Sequence, residues 1–215
     1  ARYFYPQLDK EALIIDDRAN GGGNVSPMII ERLLRQAYRM TMYRGRESNG
    51  TIPDATHHGP KVLLVDKYSA SDGDLFPWSF KANDLGTVIG TRTWGGIVGI
   101  SGSLPYIDGT DVRVPFFTNY DAKTGEWIVE NHGVDPDILL DNDPIKEDMG
   151  EDEQLNKAIE AADLYGAADV AEEAKELIPQ VVMSKANDLL NAKNYDGAAA
   201  AYKDVLAGDP TNGMA

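Results

Sequence analysis

The first ninety residues repeat one pattern, in which a short apolar run leads through a polar turn into an amphipathic stretch. The apolar runs, residues 12–15 and 62–65, are short enough to be buried strands. Apolar positions then recur at helical spacing over residues 27–42, and residues 75–85 also fit a helix. Residues 86–90 form a third strand-like run between glycines. Strands that alternate with helices predict an α/β domain with a mostly parallel sheet.

The pattern changes after this repeat, first to a hairpin and then to helix. Asp108 and Gly109 separate two strand-like stretches, residues 101–107 and 111–117, and this dipeptide is a strong hairpin signal. Residues 153–164 have the spacing of a helix that closes the domain. We therefore predict that the α/β domain occupies residues 1–165.

The last fifty residues have a different composition, rich in alanine and helical in pattern. Small alanines combine with Tyr195, Tyr202 and Leu206 in a spacing that looks like a tetratricopeptide repeat (TPR). One such repeat cannot bury its own apolar face, so it must pack on the domain, on neighbouring helices or on another chain. The sequence thus predicts a helical TPR-like segment over residues 166–215.

Composition removes several classes of function. The chain has 215 residues, of which 42% are hydrophobic, enough to bury a core. Its net charge of −15 disfavours nucleic-acid binding, because the phosphate backbone would be repelled. The absence of cysteine excludes disulfides and thiolate nucleophiles. No apolar run approaches the roughly 18 residues of a membrane span. Because the chain begins with Ala1, we interpret it as a piece or a processed product.

Ser71 lies where the second apolar run turns into a helix, and it has two interpretations. As an N-cap, its side chain would accept a bond from an early helix N–H, with Asp72 and Asp74 favouring the positive helix end. As a nucleophile, it would stand on a tight turn with the next backbone N–H aimed at a developing oxyanion. The local pattern alone favours the cap.

Three glycines, Gly21, Gly22 and Gly23, follow the first apolar run. They fit a tight α/β turn, a phosphate cradle, or an oxyanion site built from backbone N–H groups. The common phosphate-loop motifs are absent, which disfavours the cradle. Since ligands bind at the carboxyl ends of parallel strands, we expect these glycines and Ser71 to share one crevice.

Five motifs, in this order and with similar spacing, resemble a known family. They are RYFYP (residues 2–6), IDDRANGGG (15–23), SASDGD (69–74), GTRTWGGIVGI (90–100) and ENHGVDPD (130–137). They resemble the C-terminal catalytic domain of tricorn-like serine peptidases, which are related to the tail-specific and carboxyl-terminal processing peptidases. The resemblance runs from about residue 1 to residue 159 and leaves out the TPR-like segment.

The resemblance implies a crotonase- or ClpP-like α/β core and a serine endopeptidase acting on oligopeptides or unfolded polypeptides. Ser71 would form the acyl-enzyme, and the backbone N–H of Asp72 with that of Gly22 or Gly23 would form the oxyanion hole. Glu130 would orient the catalytic base. In this family the histidine and a second serine come from an earlier domain of the same polypeptide. We therefore expect the isolated chain to be inactive.

The three histidines are not matched to the base of this family. His57 and His58 fall in a polar stretch, residues 43–60, that predicts a solvated surface loop. His132 lies two residues from Glu130, so a strand would place both on one face. We expect the base to be the missing upstream histidine.

Asp72 and Asp74 look like a divalent-metal pair without a third ligand, so the sequence predicts no metal and no cofactor. Expected partners are a peptide or unfolded-protein substrate, upstream domains of the same polypeptide and further copies of the chain. Nucleic acid and membranes are not expected. The expected compartment is the cytoplasm, with the periplasm or secretion left open.

Two other functions remain open from the sequence. One is a non-catalytic assembly module, with a degenerate protease fold and a TPR-like tail that recruits partners. The other is an anion-binding α/β domain that uses the three glycines.

Overall fold

The structure is a computed structural model that describes residues 3–45, 50–102 and 105–163. Its strands in chain order are β1 (Leu13–Asp16), β2 (Arg39–Thr41), β3 (Gly50–Ile52), β4 (Lys61–Val65), β5 (Thr87–Gly90), β6 (Gly99–Ser101), β7 (Val114–Phe117) and β8 (Ile138–Leu139). Its helices are α1 (Ser26–Leu33), α2 (Asp72–Ala82), α3 (Pro144–Asp148) and α4 (Glu153–Asp163), after a 3₁₀ turn at Tyr5–Gln7.

A parallel sheet with the strand order β1-β4-β5-β8 forms the centre of the domain. All five residues of β4 are buried, because this strand lies between two others and has helices on both faces. The predicted α/β domain with a mostly parallel sheet is confirmed. Such a sheet gathers the turns that follow β1, β4 and β5 at one edge.

The alternation of side chains along β4 divides the core into two layers. Val62 and Leu64 pack with Ala158 and Ile159 of α4 on one face of the sheet. On the other face, Leu63 and Val65 belong to a second cluster that α1 and α2 complete. Burial on both faces explains why this segment reads as a continuous apolar run rather than an alternating one.

The predicted helix over residues 27–42 is wrong in its second half. Helix α1 ends at Leu33, and the N–H of Tyr38 donates to the carbonyl oxygen of Ile52 at 2.9 Å as the chain enters β2. Strand β2 pairs antiparallel with β3. Met40 and Met42 are 60% and 82% exposed, so their helical spacing did not mark a buried face.

The loop predicted over residues 43–60 is also wrong in part. It contains β3, and it turns inward so that Thr56 and His57 are buried. The predicted antiparallel hairpin forms, but its paired strands are the shorter β6 and β7 rather than residues 101–107 and 111–117. The predicted closing helix is confirmed as α4, whereas the boundary at residue 165 and the TPR-like segment lie outside the described residues.

None of the helices in the described ranges has the length and apolar character that crossing a bilayer requires.

Candidate active site

Ser71 stands at a sharp turn between β4 and α2, where it is the N-cap of the helix. Its backbone has φ of 58° and ψ of −113°, a strained combination for a residue with a side chain. A backbone hydrogen bond links this turn to the glycine motif, because the N–H of Ala70 donates to the carbonyl oxygen of Asn20 at 2.8 Å. Ser71 itself is exposed. The N-cap position is thus compatible with a hydroxyl presented to solvent.

The carboxylate of Asp74 fixes this turn from inside the protein. Asp74 is fully buried and accepts the N–H of Ser71 at 2.9 Å, which makes one half of a capping box. It also accepts the N–H groups of Gly95 (2.8 Å) and Gly96 (3.1 Å) and the hydroxyl of Thr93. The sequence indicated only a helix-start acid or half of a metal pair here. Asp74 instead joins the serine turn to the loop after β5.

Glu130 holds the same loop from its other end. Its Oε2 accepts the N–H groups of Ile97 at 2.7 Å and Val98 at 3.0 Å. The neighbouring Asn131 donates its N–H to the carbonyl oxygen of Gly95 at 2.8 Å. The structure therefore brings Glu130 to the loop that Asp74 ties to Ser71. Within the described part of the chain, its Oε1 has no hydrogen-bond donor.

Gly22 packs directly against Ser71, as the expected common crevice requires. A Cβ atom on Gly22 would lie 2.7 Å from the Ser71 Cβ and 3.1 Å from its Oγ, and Gly22 has φ of +117°. The N–H of Gly22 donates to Asn20 Oδ1 at 3.1 Å. The N–H of Gly23 has no acceptor among the described residues. Of these two glycine amides, only that of Gly23 remains available to a ligand without rearrangement.

Asp72 links the two helices that begin at this edge of the sheet. Its buried carboxylate accepts the N–H groups of Val25 (2.8 Å) and Ser26 (3.0 Å) and the Ser26 hydroxyl, so it caps α1. The Asp72 N–H is the first of α2 and has no acceptor in the described ranges. It lies at the positive end of a helix, which favours negative charge. Asp72 directly follows Ser71 in the chain, and Gly23 directly follows Gly22, which contacts Ser71.

Asp17 is a second buried acid, which the sequence analysis did not single out. Burial raises its pKa to about 8, aided by the nearby carboxylates of Asp16, Asp72 and Asp66, while a hydrogen bond from Asn20 acts in the opposite direction. Asn20 Nδ2 donates to its Oδ1 at 2.8 Å, and its Oδ2 is buried without a partner. A carboxyl in this position carries its proton at neutral pH. Asp17, Asn20 and the Gly22 amide form one hydrogen-bonded series.

None of the three histidines hydrogen-bonds to Ser71 or Glu130 in the ranges that the structure describes. His132 contacts Asp135, with 2.8 Å between Nε2 and Oδ2, and together with Arg92 it lowers the pKa of that exposed carboxyl. The prediction of a solvated His57 is wrong, since this ring is buried. Among the described residues, no group of three His, Cys, Asp or Glu side chains could hold a metal ion.

The sequence family follows from comparison with known proteins. A model of peptidase family S41 matches residues 4–140. The chain belongs to peptidase family S41. It is 41% identical to the tricorn protease of Thermoplasma volcanium over 162 residues, which are 74% of this chain and 15% of that protein. It is 37% identical to tricorn protease homolog 1 of Streptomyces coelicolor over 156 residues, 73% of this chain and 14% of that one.

A solved structure agrees with the sequence relatives. The crystal structure of the tricorn protease matches this S41 chain with a TM-score of 0.67 and 37% identity, over 81% of this chain and 16% of that one. The expected serine-peptidase family and the α/β fold similar to tricorn are therefore confirmed. The chain spans about 15% of the length of the curated tricorn protease it matches.

The first prediction concerns the contact between Gly22 and Ser71. Gly22→Ala places a Cβ against the Ser71 side chain and strains a positive φ, so we expect the free energy of unfolding to fall by about 1–3 kcal/mol. Gly21→Ala is the matched control, because a Cβ at Gly21 meets no atom within 4 Å. Urea unfolding of both variants measures the difference. Equal stabilities would contradict the close contact between Gly22 and the side chain of Ser71.

The second prediction concerns the pH dependence that Asp17 imposes. The folded carboxyl, with a pKa of about 8, keeps a proton that the unfolded one releases near its model value of 3.8. The folded state therefore binds more protons between these values, and this group makes stability fall as pH rises through that window. Asp17→Asn does not titrate, so its stability relative to the wild type should rise by up to about 1.4 kcal/mol per pH unit.

The measurement is urea unfolding from about pH 5 to about pH 8. Asp9→Asn, at an exposed position, is the control and should stay parallel to the wild type. Parallel curves for Asp17→Asn and the wild type would contradict a buried, protonated Asp17.

Proposed function

We propose that this chain is the catalytic part of a tricorn-like serine endopeptidase that cleaves oligopeptides or unfolded polypeptides through an acyl-enzyme at Ser71. One observation supports this most. An exposed serine on a strained turn lies against Gly22, beside two backbone N–H groups that have no acceptor among the described residues. A capping serine requires neither the strain nor the glycine contact.

In this proposal Ser71 Oγ attacks the substrate carbonyl carbon and passes its proton to a base. The carbonyl oxygen, now an oxyanion, accepts the N–H groups of Asp72 and Gly23. The N–H of Asp72 belongs to the first turn of α2, so the positive end of the helix dipole adds to its stabilisation of the oxyanion. The base returns the proton to the leaving amine. Water then attacks the acyl-enzyme and gives a proton to the base, which passes it to Ser71 Oγ as the ester bond breaks and the carboxylic acid product leaves.

Glu130 orients the base in this proposal. Its Oε2 is occupied by two amides of the loop, which fix the carboxylate, and its Oε1 remains able to accept an imidazole N–H. His132 contacts Asp135 instead, and the ring of His57 is buried against the carbonyl oxygen of Lys10. The base is therefore a histidine from an upstream domain of the same polypeptide. It follows that the 215-residue chain alone has little or no peptidase activity.

A role in assembly has its own supporting observation. The β6–β7 hairpin and the strand-like stretch after it expose large apolar side chains: Ile100 (54%), Phe116 (76%), Phe117 (58%), Tyr120 (61%) and Trp127 (73%). Exposed aromatic clusters of this kind mark contact surfaces. We propose that other parts of the polypeptide, or further copies of it, cover this face in a cytoplasmic assembly. If the chain were only a non-catalytic assembly module, it would not need a reactive serine.

The third prediction separates the enzyme from the assembly module. A fluorophosphonate probe should label Ser71 in the full-length protein, and the 215-residue chain should label far more slowly because it lacks the base. Ser71→Ala should abolish labelling and reduce peptidase activity at least about 10³-fold. Ser79→Ala, in the same helix, is the control and should label normally.

Mass spectrometry of the labelled peptide identifies the modified residue. A folded full-length protein that does not label, or that still labels after Ser71→Ala, would contradict the enzyme and favour the assembly module.

A further inference from the structure

Asn20, the residue before the three glycines, bonds to two parts of the candidate site. Its side chain lies between Asp17 and Gly22, since Nδ2 donates to Asp17 Oδ1 at 2.8 Å and Oδ1 accepts the N–H of Gly22 at 3.1 Å. Its backbone carbonyl oxygen accepts the N–H of Ala70, the residue before Ser71, at 2.8 Å. Asn20 thus joins the glycine motif to the serine turn.

The first turn of α2 also packs closely against Asn20. A Cβ atom at Gly73 would overlap the carbonyl oxygen of Asn20 and lie 3.1 Å from its Cβ, so this contact requires a glycine in the helix. The N–H of Gly73 in turn donates to the carbonyl oxygen of Ala70 at 2.8 Å. The backbone of Asn20 is therefore fixed against residues on both sides of Ser71.

Asp17 holds the amide end of the Asn20 side chain and is itself anchored. The residue is 5% exposed, its N–H donates to the carbonyl oxygen of Leu64 at 2.9 Å, and its carbonyl oxygen accepts the hydroxyl of Ser69 at 2.9 Å. Burial raises the pKa of Asp17 to about 8, so a neutral carboxyl accepts the Asn20 amide at neutral pH. The support for Asn20 therefore adds no negative charge that would oppose an oxyanion.

The backbone N–H groups of the three glycines have few restraints of their own. Glycine adopts more backbone conformations than other residues, and Gly22 and Gly23 have φ of +117° and +152°. In the described ranges, the N–H groups of Gly21 and Gly23 have no acceptor, and that of Gly22 has Asn20 Oδ1. This hydrogen bond orients the peptide group next to the one that carries the Gly23 N–H.

An Asx turn, in which a side-chain oxygen accepts the N–H two residues later, is common in loops and has no catalytic meaning by itself. Two contacts of Asn20 go beyond such a turn. Its amide group is held by the buried carboxyl of Asp17, and its carbonyl oxygen bonds to the serine turn. A turn that only reverses the chain requires neither contact.

We propose that Asn20 is a positioning residue for the peptidase reaction, with its amide end held by Asp17. Its side chain holds the Gly22 amide so that the next amide, that of Gly23, is oriented toward the oxyanion, and its carbonyl oxygen keeps this corner aligned with Ser71. The inference rests on the function proposed for Ser71. Because Asn20 acts through an amide that binds the oxyanion, its loss should destabilise the tetrahedral intermediate more than the bound substrate.

The fourth prediction compares turnover with substrate binding. In the full-length protein, Asn20→Ala should lower kcat at least about tenfold and change KM less than about twofold, because oxyanion donors stabilise mainly the transition state. Asn83→Ala is the matched control, since it removes a side-chain hydrogen bond to the carbonyl oxygen of Ser79 at the far end of α2. Its kcat and KM should equal those of the wild type. Steady-state hydrolysis of a fluorogenic peptide measures both constants.

Two inhibitors with the same peptide sequence separate the oxyanion from the rest of the substrate. A peptide aldehyde forms a bond between its carbonyl carbon and Ser71 Oγ, its oxygen becomes the oxyanion, and the serine proton passes to the base. The corresponding peptide alcohol has no carbonyl group to attack. Asn20→Ala should weaken inhibition by the aldehyde at least about tenfold and leave inhibition by the alcohol unchanged. A general loosening of the site would weaken both.

Variants of Asp17 test whether the amide end of Asn20 matters. Asp17→Asn keeps a side-chain oxygen for Asn20 Nδ2 and, like the protonated carboxyl, carries no charge. Asp17→Leu is similar in size and offers no acceptor. The aldehyde should therefore bind Asp17→Asn well above its affinity for Asp17→Leu, and equal losses would overturn the part assigned to Asp17.

Amide hydrogen exchange in the 215-residue chain tests the geometry without catalysis. After correction for intrinsic rates, the Gly22 N–H should exchange at least about tenfold more slowly than the Gly21 N–H, which has no acceptor among the described residues. Asn20→Ala should remove this difference. The same spectra show whether each variant is folded.

The inference is overturned if folded Asn20→Ala retains wild-type kcat and aldehyde affinity, or if the aldehyde and the alcohol weaken equally. It is also overturned if Gly22 exchanges as fast as Gly21 in the wild type. A full-length wild type without peptidase activity would refute the function proposed for Ser71 and this inference with it. An active wild type with an unaffected Asn20→Ala would refute this inference alone.

Discussion

The buried carboxylate of Asp74 is the interaction on which the candidate site depends. A carboxylate removed from water is costly unless donors replace its hydration. Asp74 has four, and they come from the serine turn and the loop after β5. Its Oδ2 accepts from both segments and its Oδ1 from the loop alone, so moving either segment away removes donors from a buried carboxylate. This arrangement explains how Ser71 keeps an unfavourable backbone conformation, which would otherwise relax.

The acids near the serine act on different elements although they are close in sequence. Asp72 caps α1, Asp74 holds the loop after β5, and Asp17 supports the Asn20–Gly22 corner. Asp72 and Asp74 accept backbone N–H groups directly, whereas Asp17 accepts the side-chain amide of Asn20, which in turn accepts the N–H of Gly22. The Asp72 N–H, at the start of α2, and the Gly23 N–H have no acceptor among the described residues, and the Ser71 hydroxyl belongs to an exposed residue next to Asp72 in the chain.

The sequence indicated those parts of the fold that depend on local pattern. Short apolar runs identified the strands β1, β4 and β5, and helical spacing identified α2 and α4. The glycine motif and Ser71 meet, as expected, because both follow parallel strands. The predicted helix was longer than α1, because Met40 and Met42 continue the helical spacing of apolar residues. Both side chains are exposed in the structure. The local sequence pattern cannot reveal a hydrogen bond between distant residues, such as that of the Tyr38 N–H with the Ile52 carbonyl.

The side chains that support the site were harder to predict, for a physical reason. Asp17 and His57 lie in loops and Asp74 lies in the first turn of α2, positions at which polar residues are usually exposed to solvent. Three of the four donors to Asp74 lie 19 to 22 residues away, and the carbonyl that His57 contacts lies 47 residues away. The family resemblance supplied candidate catalytic residues but not these supports. Their roles appear only once the strands are assembled.

The most direct test of this account is the rate at which a fluorophosphonate labels Ser71 in full-length Asp74→Asn. An asparagine offers one acceptor oxygen where four donors converge, and its amide group would face an N–H. We expect a folded protein whose labelling rate falls at least about a hundredfold, because a lost charge-assisted hydrogen bond costs roughly 1.5–3 kcal/mol and two or more are lost. Labelling at the wild-type rate would contradict the central role of this carboxylate.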